Sequence, residues 1–562
     1  MSTASTKRAR KKARAQARER AAREETPAAG EAPAAWREAP LISERTYTYA
    51  ALAVVLAAAF LRLVVLELKP MHHDEGVNGF FLTTLLKQGV YRYDPSNYHG
   101  PVLYYLTLPS VAILGLNTFA VRLVTAAFGV ATVGLMLYLR RYIGAVGALA
   151  TAALVAFSPG AVYYSRYFIH ETLFVFFTVA LVVAALRYWE TGEALYLLLA
   201  AASAALMFAT KETAFISAGV LLLAAGVAWV WMYATRDEAR GSAPRAGAAR
   251  GVKKGYDASA YGAGATGDGR VGSRVGLWLA AAAVFVLINV LFYSSFFTNA
   301  KGVTDSLETF KVWTKTGTSD FHKKDFQTYV WWLVKEESPV LVLATIGAGA
   351  SLFARRGNRF AVFAGAWAFG TALAYSLIPY KTPWLMLSFT VPMAIAGGYA
   401  VQLVADWSRR SAAARALAAL CVGFALAVCV YQTAVLNFFE YDNDSYPYVY
   451  AHTRREAEAM VREVERLSQS AGAARTAGIA IATPDYWPLP WYLREHTSGV
   501  AYDQKVLTRY DPKVTQIVIG RDNQIEQLRA VLGTDYRQVG GEYPLRPGVD
   551  LVLFARADLA GR

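Results

Sequence analysis

The sequence predicts an all-α polytopic membrane protein of about eleven spanning helices, joined to a small C-terminal α/β domain. Three features predict it. The chain is 55% hydrophobic with a mean hydropathy of +0.27. Nearly uncharged stretches of roughly 20 residues recur along it, each long enough to cross about 30 Å of hydrocarbon as a helix. After residue 437 the pattern changes to that of a soluble chain. Hydrocarbon offers no water to the backbone, so segments that cross it satisfy their own polar groups as helices.

The formal charge of +15 would suit nucleic acid in a soluble protein, but the clustered excess lies in the N-terminal tail and beside apolar segments. That placement points to anionic lipid as the partner and away from nucleic acid. Residues 1–46 hold a basic run from Lys7 to Arg23 and then an Ala/Pro/Glu-rich stretch. They read as a disordered cytoplasmic tail, with no cleavable signal. Cys421 and Cys429 share one apolar segment, so neither a disulfide framework nor a zinc site is implied.

Arginine-rich joints mark cytoplasmic ends. They fall at Arg140-Arg141, from Arg236 to Arg274, from Arg355 to Arg359 and from Arg409 to Arg415. Span 1 (48–66) leaves the cytoplasm, and the chain must be inside again at Arg140. Of the two apolar stretches between, 101–115 is short and carries Pro101 and Pro109, so it is expected to lie in the outer interface, leaving 119–139 as span 2. The other spans follow near 145–162, 168–187, 194–209, 214–234, 275–293, 339–354, 360–378, 384–405 and 413–436. This parity puts residues 68–100, 163–171, 210–213, 294–338, 379–383 and 437–562 on one extracytoplasmic face. The inner segment 236–274, rich in Gly, Ala, Ser and Arg, reads as a flexible loop. No internal repeat emerges, which weakens a transporter reading.

In the soluble part, 454–469 has amphipathic helical spacing. Segments 476–483, 514–520 and 549–555 look like strands and 521–532 like a helix, which together make a small α/β domain.

The outer segments hold the unusual polar residues. Met71-His72-His73-Asp74-Glu75-Gly76 directly follows span 1, ahead of a helix-like stretch from Val77 to Gln88 and then Tyr98-His99-Gly100-Pro101. Adjacent carboxylates at a membrane surface need solvent, a partner or a cation. One can act as a base while its neighbour orients a metal; alternatively, both cap the first turn of the following helix. Tyr163 to Glu171 forms a second cluster, including Tyr164, Arg166 and His170, at the turn between spans 3 and 4. An arginine among tyrosines suits a phosphate beneath a lipid tail, while Glu171 could simply cap its helix. Lys211-Glu212 and Tyr380-Lys381-Thr382-Pro383-Trp384 are further outer turns, whose lysines either bind phosphate or snorkel. The lysine- and tryptophan-rich loop 294–338 is an aromatic belt or a lid. Trp487 and Trp491 follow a predicted strand, where they either stack on a sugar face or pack the domain onto the membrane part.

These strings carry a resemblance. The acidic pair after span 1, the His-Gly-Pro-Val-Leu-Tyr-Tyr-Leu interfacial helix, the Asn-Thr-Phe-Ala-Val-Arg-Leu span start and Ser165-Arg166 with Glu171 look like the GT-C membrane glycosyltransferases. Over about 48–400 the chain resembles the aminoarabinose transferase and protein O-mannosyltransferase type. It is most similar to the flippase-activity-associated proteins of archaeal-type glycosylation. The resemblance implies inverting transfer of a sugar from a polyprenyl-phosphate lipid to a glycan, lipid or protein acceptor, outside the plasma membrane of a bacterium or archaeon. By matching position, Asp74 would be the general base with Glu75 beside it, and Glu171 would position acceptor or metal. Arg166, Lys211 and Lys381 would hold the donor phosphate, and His73, His99, Tyr164, His170, Tyr380 and Trp384 would line the same cavity. A divalent cation, Mg or Mn, on Asp74 and Glu171 is compatible with the family. The rival expectation is a lipid-linked-sugar flippase or a non-catalytic accessory.

Overall fold

The computed structural model describes residues 41–235, 271–317, 323–353, 358–496 and 499–561. The tail expected as disordered over 1–46 lies outside these ranges except for 41–46, of which 44–46 are helical, and the loop expected as flexible over 236–274 lies outside them except for 271–274, which are helical. In chain order the first helices are α1 (Glu44–Leu63), α2 (His73–Gln88), α3 (Val102–Leu114), α4 (Thr118–Leu137), α5 (Ala145–Ala156), α6 (Pro159–Ser165), α7 (Glu171–Thr191) and α8 (Ala194–Phe208). They continue with α9 (Ala214–Ala234), α10 (Val271–Tyr293), α11 (Lys301–Gly317), α12 (Thr328–Glu336), α13 (Ser338–Phe353), α14 (Arg359–Leu377), α15 (Leu387–Ser408) and α16 (Ala412–Ala434).

Eight helices among the described residues are long and apolar enough to cross a membrane: α1, α4, α7, α9, α10, α14, α15 with its lead-in turn, and α16 with the turn that follows it. The segment expected as one span over 145–162 is instead two helices, α5 and α6, bent by 56°. The break has a local cause. Pro159 has no N–H and holds Ser158 in an extended conformation, and the Ser158 hydroxyl then caps α6 by accepting from the Ala161 N–H at 3.1 Å. Helices α8 and α13, at 15 and 16 residues, are shorter than the other expected spans.

The bundle is built around α15. The span from Pro383 to Ser408 is 94% buried, against 6% for α10, so α15 is the packed axis and α10 is peripheral. Small residues let other backbones approach it: a Cβ on Gly347 of α13 would strike the Ala396 carbonyl, and one on Gly398 would strike Thr151 of α5.

Beyond α16 the chain forms α17 (Ala457–Ser470), β1 (Ile479–Ile481), the single turn α18 (Leu489–Tyr492), β2 (Val500–Tyr502), β3 (Ile517–Arg521), α19 (Ile525–Leu532), β4 (Tyr536–Arg546) and β5 (Val549–Arg556). The sheet order is β2-β1-β3-β5-β4. Strand β1 runs parallel to β2 and β3, while β5 is antiparallel to both β3 and β4. Alternation along the strands explains the layers. Ile517, Ile519, Leu551 and Leu553 pack with Met460, Val461, Val464 and Leu467 of α17, whereas Val518, Val552 and Phe554 pack with Leu528 and Leu532 of α19. The strands β2 and β4 lie outside the stretches that the sequence marked. β2 has only three residues, and β4 carries Gly540, Gly541 and Pro544, which mask its alternation.

This α/β part is pressed onto α2. Pro488 and Trp491 occupy the space that a Cβ would need at Gly76 and Gly79, with a 2.5 Å approach at each. The Met71 N–H donates to the Tyr492 hydroxyl at 2.9 Å, and Arg494 donates to the Leu116 carbonyl at 3.2 Å. The connecting stretch from α16 is tied down by Tyr163, which donates to the Tyr441 carbonyl at 2.8 Å, and by Tyr164, which donates to the Tyr448 carbonyl at 3.0 Å.

Candidate functional site

The turns that sequence parity put on one face meet at one end of the bundle around a cavity of about 430 Å³. Residues from 72–78, 96–99, 169–171, 211–213, 375–385 and 450–451 line it, together with Trp313 of α11 and Arg546 from the α/β part.

Asp74 reaches this cavity because α2 starts one turn earlier than the sequence suggested. His72 is the N-cap: its Nδ1 accepts from the Asp74 N–H at 3.1 Å and its Nε2–H donates to the Tyr450 carbonyl at 3.0 Å, which fixes the tautomer. The two neighbouring acids then part company. Asp74 lines the cavity, and its carboxylate has no hydrogen-bond or ion-pair partner among the described residues. Glu75 turns inward. Its two oxygens take Nε and a terminal nitrogen of Arg122, each at 2.7 Å, and also accept from the His72 N–H at 2.9 Å and the Phe168 N–H at 2.8 Å. Burial would push this carboxyl up, but the Arg122 charge and these donors hold it below its ordinary value. A carboxylate so fully engaged has nothing left for a substrate, which corrects the expectation that Glu75 works beside Asp74. It is a capping and cross-bracing group.

The second acidic motif does reach the cavity. Glu171, the first residue of α7, accepts from Lys211 Nζ, and both side chains are almost wholly buried. Burial acts to lower the lysine, but the charges of Glu171 and Glu212 override it and hold Lys211 cationic. Glu212 accepts from His99 Nδ1 at 2.9 Å, an arrangement that keeps its carboxyl low against the effect of burial. His170 stands 4.8 Å from the His99 ring and donates through Nε2 to the Gly100 carbonyl at 3.1 Å. His73, Tyr380 and Trp384 also face the cavity. Burial pushes the His73 imidazole down to about 4 and the Tyr98 phenol up to about 12, so near neutral pH the first is uncharged and the second is a hydrogen-bond donor.

Five expected residues lie elsewhere. Arg166 is fully buried and spends its guanidinium on the carbonyls of Leu61, Val64 and Val65 at 2.7–2.9 Å. Lys381 donates to the carbonyls of Ser376 and Ile378 at 2.9 and 2.5 Å. Tyr164 is occupied by Tyr448. Trp491 packs on Gly79 with its indole N–H 3.3 Å from Thr118 Oγ1, and Trp487 packs against His73 and Phe80. For the cations the reason is common to both: a charge beside the ends of helices finds unsatisfied carbonyls within its own chain before it finds a ligand. Sequence reasoning passed over Glu212 as a site residue, although it adjoins Lys211, and missed Tyr98, Tyr450 and Arg546. Arg546 gives no local signal, since it joins the cavity only through tertiary packing.

The pair expected to share a divalent cation fits one poorly. Glu171 already holds the Lys211 ammonium, and no group of three or more His, Cys, Asp or Glu side chains among the described residues forms a ligand set.

Comparison with known proteins follows the same lines. Residues 98–240 match the family of dolichyl-phosphate-mannose-protein mannosyltransferases, a stretch that includes His99, Arg166, His170, Glu171 and Lys211. None of the curated proteins matches the chain. Among solved structures the chain is similar to ArnT from Cupriavidus metallidurans bound to undecaprenyl phosphate, with a TM-score of 0.58, 15% identity, and 92% of this chain and 100% of that one covered. The apo state of the same protein gives a TM-score of 0.58 at 14% identity, covering 92% and 99%. The archaeal oligosaccharyltransferase AglB from Archaeoglobus fulgidus, solved with an inhibitory peptide and a dolichol-phosphate, gives 0.48 at 13% identity, covering 86% of this chain and 70% of that one. None of these matches singles out the flippase-activity-associated group. The chain is thus a multi-pass membrane protein that shares its fold with ArnT.

Proposed function

We propose that this protein transfers a sugar from a polyprenyl-phosphate donor to an acceptor hydroxyl on the extracytoplasmic face, with inversion at the anomeric carbon and Asp74 as general base. One observation carries the reading: of the acids lining the cavity, Glu171 is paired with Lys211 and Glu212 is hydrogen-bonded to His99, while Asp74 has no partner among the described residues. It is the carboxylate available to take a proton.

In the proposed step Asp74 removes the acceptor hydroxyl proton as that oxygen attacks C1. The bond from C1 to the phosphate oxygen breaks and its electron pair leaves with the lipid phosphate. Lys211, at the turn between α8 and α9, lines the same cavity, which supports its meeting the leaving phosphate. General-base help of this kind contributes about 10² to 10⁴ in rate, and a fixed charge at the leaving group adds to it. Glu171 serves as the counter-ion that makes a buried lysine tolerable. No metal enters this scheme. The fold shared with ArnT, which was solved with undecaprenyl phosphate, supports a polyprenyl carrier.

The gathering of polar groups at one end of the bundle favours an enzyme over a flippase, which needs such groups through the depth of the membrane. The test is reconstitution in proteoliposomes with a polyprenyl-phosphate sugar. Transfer that is lost in Asp74→Asn supports the proposal. Full transfer by that variant refutes the base, and movement of the lipid between leaflets with no transfer product refutes the enzyme.

A further inference from the structure

Two of the three cations expected to bind substrate are held by backbone carbonyls, and the third, Lys211, is the one proposed for the donor phosphate. A second cation in the cavity comes from the α/β part. Arg546 is the last residue of β4 and lines the cavity with its side chain 16% exposed. It donates to Asp485 at 2.6 Å and to the Trp487 carbonyl at 3.3 Å. Asp485 also accepts from Arg521 at 2.7 Å. Two guanidinium groups therefore share one carboxylate, and Arg521 is paired as well with Asp522 at 3.4 Å, so Arg546 is the member of the network that faces the cavity. A guanidinium has five N–H donors, and these bonds leave Arg546 with donors to spare.

Topology explains why the three meet. Because β5 is antiparallel to both β3 and β4, those two strands run in the same direction, and β1 is parallel to β3. Arg521 ends β3, Arg546 ends β4 and Asp485 follows β1, so all three stand on the carboxyl edge of the sheet. Strand β1 has β2 on one side and β3 on the other, and the crevice outside such an edge is where α/β sheets bind ligands. Here that edge is turned onto the membrane cavity.

Lys211 and Arg546 are the two lysine or arginine side chains among the described residues that line the cavity. The charges around His73 are Asp74, Arg546 and Asp485, whereas those around Tyr380 include Asp74, Glu212 and Glu171. Lys211 stands between two helices of the bundle and Arg546 comes from the α/β part, so in the proposed transfer a donor whose tail lies among the helices is met by Lys211. Arg546 is left for the other reactant. We infer that Arg546, held by Asp485 and Arg521, is the acceptor-binding residue of the site and that the acceptor carries an anionic group, a carboxylate or a phosphate, close to the hydroxyl that receives the sugar.

This rests on the proposed transferase reading for its vocabulary, but its test reads binding and not turnover. The full chain in nanodiscs is titrated with glucose 6-phosphate, glucuronate and glucose, following the fluorescence of its own tryptophans, and separately with undecaprenyl phosphate. The expected result is that both anionic sugars bind about tenfold or more tightly than glucose. Arg546→Gln should erase that preference, Arg546→Lys should keep part of it, and undecaprenyl phosphate should bind Arg546→Gln as it binds the parent. Equal binding of all three sugars by the parent overturns the inference, as does a preference that survives in Arg546→Gln. A loss of undecaprenyl phosphate affinity in that variant overturns it too, by moving Arg546 to the donor side. Should Arg546→Gln lose its monodisperse profile, Arg546→Lys and Arg521→Gln decide by the same readouts. The absence of sugar transfer would sink the enzymatic proposal and leave these binding results standing.

Discussion

Glu75 and Arg122 form a bidentate ion pair in which neither side chain is exposed to solvent, and the same arginine also gathers the carbonyls of Leu66, Lys69 and Pro70. One pair thus fixes the end of the stretch after α1, the start of α2 and the top of α4, and so sets where Asp74 points. Breaking it leaves a buried charge uncompensated, for which about 3–5 kcal/mol is typical. Glu75→Gln should lower the thermal midpoint of the detergent-solubilised protein sharply and should reduce expression. A near-normal midpoint would show that Arg122 finds other partners.

Asp74→Asn should behave in the opposite way. With no partner to lose, the variant should unfold at the parent temperature while transfer falls by about 10²- to 10⁴-fold. Circular dichroism melting alongside the transfer assay separates the two effects.

For Glu171 and Lys211, single and double changes should differ in sign. Lys211→Met strands a buried carboxylate and should destabilise the protein, whereas the double variant Lys211→Met with Glu171→Gln should recover stability and still bind undecaprenyl phosphate weakly. A double-mutant cycle on both readouts measures the coupling. Equal lipid affinity in the double variant and the parent would remove Lys211 from the donor site.

Gly79 is the place where α2 accepts Trp491. Gly79→Leu puts a side chain where the indole lies, and overpacking of this order typically costs about 1–3 kcal/mol. The α/β part should then become sensitive to limited proteolysis near 437–456 while the helical part stays intact. Gly89→Ala is an unsuitable control because Gly89 has φ +71, so Gly134→Ala, with open space around it, serves instead.

Acidity should act through Glu336 and Glu337, whose carboxyls burial pushes up to about 7. Glu337 accepts from the Ser158 hydroxyl at 2.7 Å, the Gly160 N–H at 3.0 Å and the Tyr448 hydroxyl at 3.2 Å. Between the unfolded value near 4.5 and the folded value near 7, the unfolded chain has released protons that the folded one retains. Stability contributed by the neutral form is therefore full below the unfolded value and lost as pH rises through about 7. Melting across pH 4.5–8 should show this decline, and Glu336→Gln with Glu337→Gln should flatten it.

The helices and the end of the bundle at which the polar turns gather were legible in the sequence because they rest on local quantities: apolar length, arginine-rich joints and parity. Asp74, Glu171, Lys211, His73, His99, His170, Tyr380 and Trp384 were read from such local strings and meet in one cavity. The sequence could not separate Asp74 from Glu75, because which of two adjacent carboxylates faces a cavity depends on where Arg122 lies. It assigned Arg166 and Lys381 to substrate because a cation in a turn looks the same whether it binds a ligand or a helix end. It passed over Arg546 because only the strand order brings that residue to the membrane part.

That last placement has a consequence for biogenesis. Asp74 is translated early, yet Arg546, which lines the same cavity, is translated about 470 positions later, on the last strand but one. Insertion of the helices and maturation of the site are therefore separate events in time. A molecule truncated before β4 would hold every spanning helix and still lack the side chain that the α/β part adds to the cavity.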